Sequence, residues 1–420
     1  MSMKHPRTIP SLADVSKDIS GPLPVGLLDE WAAGPRTGDA ASVLLAPYRR
    51  EGFAISSDTA GLTKMTQERD LLDVLWLVSE PKQIIHAVGT AIGGESIGVW
   101  SADNTEMFYP ESVGADAVVD AMVEAQARIA ERASVKVGIC IHAGVFYEVG
   151  GGLYGSDAQA VELLAETYAR GAEILATQEA VDRLRAPASV SLIRRTDLAE
   201  VHDRGVFSLT CMRRLSALCE AETIHPHPFP PEFFDMLRHR KCGPGGASIA
   251  SALLGVHGVR QRDCFVVFLA RRASDASEGD LAHLLDGLLE NERMSEVINA
   301  TIDVPTNLAQ TGGGITILVF ESGADSLAAA RKLRDRFEQE RVRVAIGIDR
   351  GPVLTFLAGP HCAGGIAGDP INLSSKISED LGEPGRIRIT QRAAQGIDGL
   401  DGATSFANVI SGVEVRGVIV

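Results

Sequence analysis

Asp58 and Asp103 are the residues of this 420-residue chain around which a chemistry is most readily built. Asp58 follows the strand-like run Gly52–Ser56, and Gly61, Leu62 and Thr63 then lead into helical spacing at Met65, Leu71, Leu72, Leu75 and Val78. Asp103 occupies the turn Ala102-Asp103-Asn104 between strand-like runs Ser96–Ser101 and Thr105–Tyr109. A strand end beside a hairpin turn would set the two carboxylates together. Paired carboxylates suit hard divalent cations such as Mg²⁺, which take oxygen ligands. Free N–H groups at the helix start after Gly61 suit phosphate oxygens. Each aspartate also has a plainer reading, Asp58 as a helix N-cap and Asp103 as an Asp-Asn turn residue.

Other candidates are weaker. His225-Pro226-His227 has two metal-ligating side chains but no second pair nearby, and reads as a solvated linker. His142 closes a strand and reads as structural. Gly150-Gly151-Gly152 and Gly312-Gly313-Gly314 lack the lysine and helix of a phosphate-binding loop. Arg213-Arg214 is too small a cluster for a nucleic-acid face. The net charge of −15 argues against broad binding to nucleic acid or anionic membranes, where lysine and arginine supply the affinity. No apolar run approaches the roughly 20 residues of a membrane helix, and the N-terminus shows no signal-type stretch. The six cysteines lack CxxC spacing and read as reduced thiols, as expected of a cytoplasmic protein.

The elements that must position these residues fall into two similar halves. Residues 1–48, rich in Pro, Gly and Ser, read as an N-terminal extension with one short helix around Val25–Ala33. Short strands then alternate with amphipathic helices over 49–215. A Pro/Gly-rich connector is expected over 216–260, where prolines stiffen the chain and glycines loosen it. Over 261–420 the pattern returns: residues 342–353 (VRVAIGIDRGPV) answer 135–146 (VKVGICIHAGVF), and 368–390 answer 155–177. A two-fold repeat of about 160 residues is far longer than a solenoid unit and indicates two copies of one α/β domain.

Both halves resemble the catalytic domain of class III adenylate and guanylate cyclases. Ser56-Ser57-Asp58-Thr59-Ala60-Gly61-Leu62-Thr63 stands against that family's F-x-D-x-x-G-F-T. Ala102-Asp103, with the strand ending Tyr109-Pro110-Glu111, stands against its G-D hairpin and F-P-D. Lys136 to Gly144 is similar to R-x-G-I-H-x-G, and Gly368 to Lys376 to G-x-x-V-N-x-A-x-R. Forty-five residues separate Asp58 from Asp103, close to the family's spacing of its two metal-binding aspartates.

The resemblance implies two ferredoxin-like α/β (α+β) cyclase-homology domains, each a mainly antiparallel sheet flanked by helices, paired head to tail within one chain. It implies metal ligation by Asp58 and Asp103, with two Mg²⁺ or Mn²⁺ ions, and phosphate contacts at Gly61, Leu62 and Thr63. Asn372 falls on the asparagine that orients the ribose, Lys376 on an arginine that supports the pentavalent phosphate, and Gln310 on a purine-reading position. The family's two sets of positions are divided between the halves. Ala270 and Gly314 replace the aspartates in the second half, while Gln159 and Leu163 replace Asn372 and Lys376 in the first. One complete site across the domain interface is therefore expected. It would convert a purine nucleoside triphosphate, ATP rather than GTP on family frequency, to the cyclic 3′,5′-monophosphate and pyrophosphate. Gly365 at the second purine position, lysine in place of arginine at 376, and Arg416 as the sole stand-in for a late phosphate-binding lysine depart from the pattern. They support the alternative of an inactive pseudo-cyclase that senses nucleotide or binds a protein partner.

Overall fold

In the computed structural model the described residues are 23–98, 100, 104–185, 190–211, 224–227, 229, 233, 237, 260–272, 280–302, 308–312, 314–359, 362–410 and 413–420. Asp103 lies outside them, as does most of the expected connector. Two short helices, α1 (Leu27–Ala33) and α2 (Gly38–Leu45), precede the first sheet unit. That unit runs β1 (Arg49–Thr59), α3 (Leu62–Glu68), α4 (Leu71–Ala91), β2 (Glu95–Ser96), β3 (Thr105–Pro110), α5 (Ala115–Arg132), β4 (Val137–Val149), β5 (Gly152–Tyr154), α6 (Ser156–Leu163), β6 (Ile174–Thr177), α7 (Gln178–Val181), β7 (Val190–Arg194) and β8 (Val206–Cys211). The second unit runs β9 (Arg260–Arg271), α8 (Asp280–Thr301), β10 (Leu308–Gly312), β11 (Ile315–Phe320), α9 (Gly323–Glu340), β12 (Val344–Gly359), β13 (Cys362–Ala367), α10 (Asp369–Glu379), β14 (Ile387–Thr390), α11 (Gln391–Ala394), β15 (Thr404–Ile410) and β16 (Val413–Ile419).

The two sheets have matching strand order, β2-β3-β1-β4-β6-β8-β7 and β10-β11-β9-β12-β14-β16-β15, with β5 and β13 as branches on β4 and β12. In each, the two central strands pair antiparallel and one parallel pair, β4 with β6 or β12 with β14, follows a helical crossover. Central strand β1 is apolar on both faces because both are covered: Phe53 and Ile55 join the core under α4 and α5, while Ala54 joins the core under α6. This is the two-domain α/β architecture that the repeat implies, with the mainly antiparallel sheets that the family resemblance implies.

Three local readings change. The helical spacing from Met65 to Val78 and the separate helix near Ile84–Ile92 become a break and one long helix. Asp70 caps α4 by accepting from the Leu72 N–H at 3.0 Å, and the helix continues through Pro81 to Ala91. Its buried face, including Leu72, Leu75, Ile85 and Val88, outweighs the roughly 3 kcal/mol that an interior proline costs. The expected strands Val135–His142 and Val145–Tyr154 are largely one strand, β4. β1 pairs with it in unbroken register across Gly52 and Gly144. The third concerns His225, which is 3% exposed rather than solvated. Its ring stacks on Trp100 at 6.1 Å, its Nδ1 lies 3.1 Å from Gln83 Oε1, and the Trp100 N–H donates to the Pro226 carbonyl. The apolar face of Trp100 and α4 pulls this stretch out of water.

The halves embrace reciprocally. Val149 and Tyr154, at the β4–β5 tip of the first unit, share a core with Leu284, Leu285 and Leu288 of α8, closed over by Leu28, Trp31 and Leu45 of α1 and α2. Trp31 Nε1 donates to Asp286 Oδ1 at 2.8 Å, so the N-terminal helices belong to this interface rather than trailing from it. On the opposite side Leu354 of β12 packs with Leu72 and Leu75 of α4, beside Phe229, Phe233 and Leu237. Helices α4 and α8 occupy equivalent places in the two units, so each half offers the same helix to the other's long hairpin. Among the described residues no helix is long and apolar enough to cross a membrane.

Candidate functional site

Asp58 is the penultimate residue of β1, half-buried and opposite Gly138 of β4. Beside it, Ser57 pairs with Thr105 at the first residue of β3, their hydroxyls 2.6 Å apart. Strand alternation puts Asp58 on the α6 face of the sheet, the face of Ala54 and Ser56. A cleft on that face is lined by Ser56, Trp100, Asn104, Glu106 and Glu162. After Asp58 the chain turns through Gly61, whose φ of 82° is in the left-handed region that favours glycine. Leu62 and Thr63 then open α3.

Asn372 and Lys376 lie one turn apart on α10, and therefore on one face of it. Proline at 370 suits the first turn, where a backbone donor is not needed. Leu373 and Ile377 anchor the helix against Ile410 and Val415 of the closing hairpin, which leaves the neighbouring face, with Asn372 and Lys376, half-buried. Gly347 of β12 makes this placement possible: a Cβ there would stand 2.3 Å from the Ser374 carbonyl oxygen. Asn372 Nδ2 is buried and has no hydrogen-bond partner among the described residues. A buried amide donor left unpaired costs about 1–3 kcal/mol unless something else satisfies it.

The helix that follows Asp58 and the helix that carries Asn372 and Lys376 touch. Thr66 of α3 donates to Asp369 Oδ1 of α10 at 3.0 Å across the two halves. Asp369 is held in turn by Arg392 of α11, 2.5 Å from Oδ2, and Arg392 also grips the buried carboxylate of Asp349 on β12. Burial raises the Asp349 carboxyl above its ordinary range despite the opposing pull of the guanidinium. Neither Asp369 nor Arg392 stood out in the sequence. The Asp after Gly368 at a helix start was the available signal, and it is ordinary there.

The division between the halves is carried by strand register. Ala270 of β9 faces Ala345 as Asp58 faces Gly138, and Gly314, φ 100°, stands in the turn before β11. On the α6 side, Gln159 is buried and Leu163 half-buried at the positions that answer Asn372 and Lys376. Gln310 sits in β10 opposite Ile317, and Gly365 in β13 opposite Phe356.

No protein-family model and no curated protein matches this chain. Solved structures do. A class III adenylyl cyclase-like ATP-binding protein from Pseudomonas aeruginosa aligns over 83% of this chain and 85% of its own, with 12% identity and a TM-score of 0.50. The adenylyl cyclase CyaB from P. aeruginosa aligns over 40% of this chain and 98% of its own, at 15% identity and a TM-score of 0.35. The guanylate cyclase domain of RhGC from Catenaria anguillulae, solved in complex with GTP, aligns over 39% and 99%, at 12% identity and a TM-score of 0.33. The first of these spans both sheet units, and the chain accordingly carries the class III cyclase-homology fold in two tandem copies.

Proposed function

We propose that this chain binds a purine nucleoside triphosphate across the α3–α10 junction and cyclises it to the 3′,5′-monophosphate with release of pyrophosphate. The observation that carries this reading is the Thr66–Asp369 hydrogen bond. It joins the helix that follows Asp58 to the helix bearing Asn372 and Lys376, which supports one site shared by the two half-sets of residues. The domains are read as 49–215 and 261–420, with 1–48 and 216–260 as extension and linker.

Asp58, with Asp103, would hold two divalent ions, Mg²⁺ or Mn²⁺; the half-buried carboxylate at a strand end suits a hard cation. Bound there, the ions would supply activation of the ribose 3′-hydroxyl and neutralisation of the phosphates. Gly61, Leu62 and Thr63 supply the turn beside which the phosphates would lie. Asn372 Nδ2, a buried donor without an acceptor among the described residues, would orient the ribose. Lys376 would place its ammonium where negative charge builds at phosphorus, as a point charge rather than the planar fork of arginine. Gln310 would hydrogen-bond the purine edge.

A second reading rests on Gly365 and Lys376. Without a side chain at the second purine position, and with one cation donor in place of a fork, the same site would bind nucleotide and report it to a protein partner without turnover. Incubation of the pure full-length protein with ATP or GTP and Mn²⁺, with the product identified by mass, decides between them. Cyclic nucleotide that disappears in Asp58→Asn supports the cyclase. Tight nucleotide binding with no product supports the regulatory reading, and absence of binding overturns both.

A further inference from the structure

His142 of β4 is 1% exposed and lies between carboxylates on both edges of its ring. Nε2 stands 3.3 Å from Asp157 Oδ1 and is buried without an aligned hydrogen-bond partner among the described residues. Nδ1 bonds to the Thr177 hydroxyl at 2.8 Å and lies 4.0 Å from Glu179 Oε2. That same Glu179 oxygen is 2.8 Å from Nε2 of His202, which arrives from the loop between β7 and β8. Arg204, largely exposed, reaches the other Glu179 oxygen at 3.3 Å. One ligand atom each from His142, Glu179 and His202 falls within 4.8 Å of the others.

The second half shows what this spot requires. Asp349 occupies the place of His142, Thr390 that of Thr177 and Arg392 that of Glu179: β14 pairs with β12 as β6 pairs with β4, and Thr390 bonds to Asp349 as Thr177 bonds to His142. There the guanidinium of Arg392 sits between two carboxylates, Asp349 and Asp369. In the first half the arginine position is itself a carboxylate, Glu179, and Asp157 supplies another. Arg204 reaches one Glu179 oxygen from the surface, while the other oxygen faces two imidazoles where the second half has a guanidinium.

We propose that His142, Glu179 and His202 form a binding site for a borderline first-row divalent cation, of which Zn²⁺ best matches two imidazoles and one carboxylate. Ligand atoms about 2.0–2.2 Å from Zn²⁺ lie roughly 3.3–3.6 Å apart in a tetrahedron; here two of the three pairs stand 2.8 and 4.0 Å apart and all three atoms lie within 4.8 Å of one another, a set that a bound ion would draw together. Turning the Thr177 hydroxyl releases His142 Nδ1 to the metal, and the Nε2–H then donates to Asp157. This carboxylate–histidine arrangement orients metal-bound imidazoles generally. Asp157 is itself fixed by the Val145 N–H at 2.6 Å, and Gly144 admits it, since a Cβ there would lie 2.0 Å from Asp157 Oδ2. Glu179 and His202 keep a small exposed fraction, so water would complete the coordination from that side. His142 stands opposite Ala54, four residues along β1 from Asp58 and so roughly 13 Å from it at strand rise. The cation would clamp the 196–205 loop and α7 to the central strand.

The test uses full-length protein stripped with chelator, titrated with Zn²⁺ alone by calorimetry and with Co²⁺ by visible absorption, without nucleotide. Asp58→Asn serves as the background, so that metal at the proposed nucleotide site does not contribute. One equivalent should bind, with the intense visible bands of four-coordinate Co²⁺, and His202→Ala and Glu179→Gln should each weaken binding at least tenfold. Should His202→Ala fail to fold, Glu179→Gln carries the test, because its amide keeps the shape and loses the charge. Absence of Zn²⁺ binding, or unchanged affinity in the folded variants, overturns the assignment whatever the outcome with ATP.

Discussion

Thr66 of the first half and Asp369 of the second are joined by a 3.0 Å hydrogen bond, placed where α3 meets the start of α10. The carboxylate is the shared element. Arg392 holds it from within its own half, so Thr66 reads a residue that the second unit has already positioned. A polar pair of this kind fixes orientation between the halves, while the leucine-rich contacts at α4 and α8 supply most of the association energy.

Thr66→Val should therefore cost little stability, about 1 kcal/mol, since Asp369 keeps its arginine. It should nevertheless weaken nucleotide binding and any turnover. In a double-mutant cycle with Asp369→Asn, thermal denaturation should give a coupling of about 0.5–1.5 kcal/mol. Strict additivity would mean that the contact does no more than fill space.

Lys376→Ala should lower turnover more than nucleotide affinity, because its charge matters most in the transition state. Lys376→Arg should preserve or raise the rate. Steady-state kinetics with Mn²⁺ as the metal separate these effects, and an unchanged rate in Lys376→Ala would reduce the residue to a helix-surface lysine.

Gly347→Ala places a methyl 2.3 Å from the Ser374 carbonyl and must push α10 away from β12. A loss of about 1–3 kcal/mol is expected from overpacking. Because α10 carries Asn372 and Lys376, nucleotide binding should fall further than stability alone accounts for. Melting curves with and without nucleotide measure both.

The buried histidines predict acid lability. Desolvation holds His225 down to about 2 and His227 to about 4, with the charge of Lys82 adding to each. Each then takes up a proton on unfolding at any pH between its folded value and the ordinary 6.5. Their contribution is intact above about pH 6.5 and is lost as pH falls, at up to about 1.4 kcal/mol per unit for each histidine. His225→Phe, which keeps an aromatic ring against Trp100, should flatten the stability profile between about pH 6 and pH 4. An equally steep profile in that variant would show that other groups govern acid unfolding.

Much of the architecture is legible in the sequence because it is written in short periods. A short apolar run at Phe53, Ala54 and Ile55, helical spacing in α5 and α9, and a repeat that brings back the same strand pattern at His142 and at Asp349 need no long-range knowledge. The fate of Pro81 was not legible. Its helix breaks or continues according to how much apolar surface the neighbours cover, and only packing decides that. The same holds for His225, polar by type and buried because Trp100 happens to face it. For the site, residue types and spacing nominated Asp58 and Gly61, since strand ends and turns are local, while Asn372 and Lys376 were nominated by the resemblance to the cyclase family. That α3 meets α10 through Thr66 and Asp369, and that His142, Glu179 and His202 converge while Arg392 fills the equivalent place in the other half, came from tertiary structure alone. Those residues lie far apart along the chain. What unites them is strand register and the packing of helix on sheet, which sequence spacing does not encode.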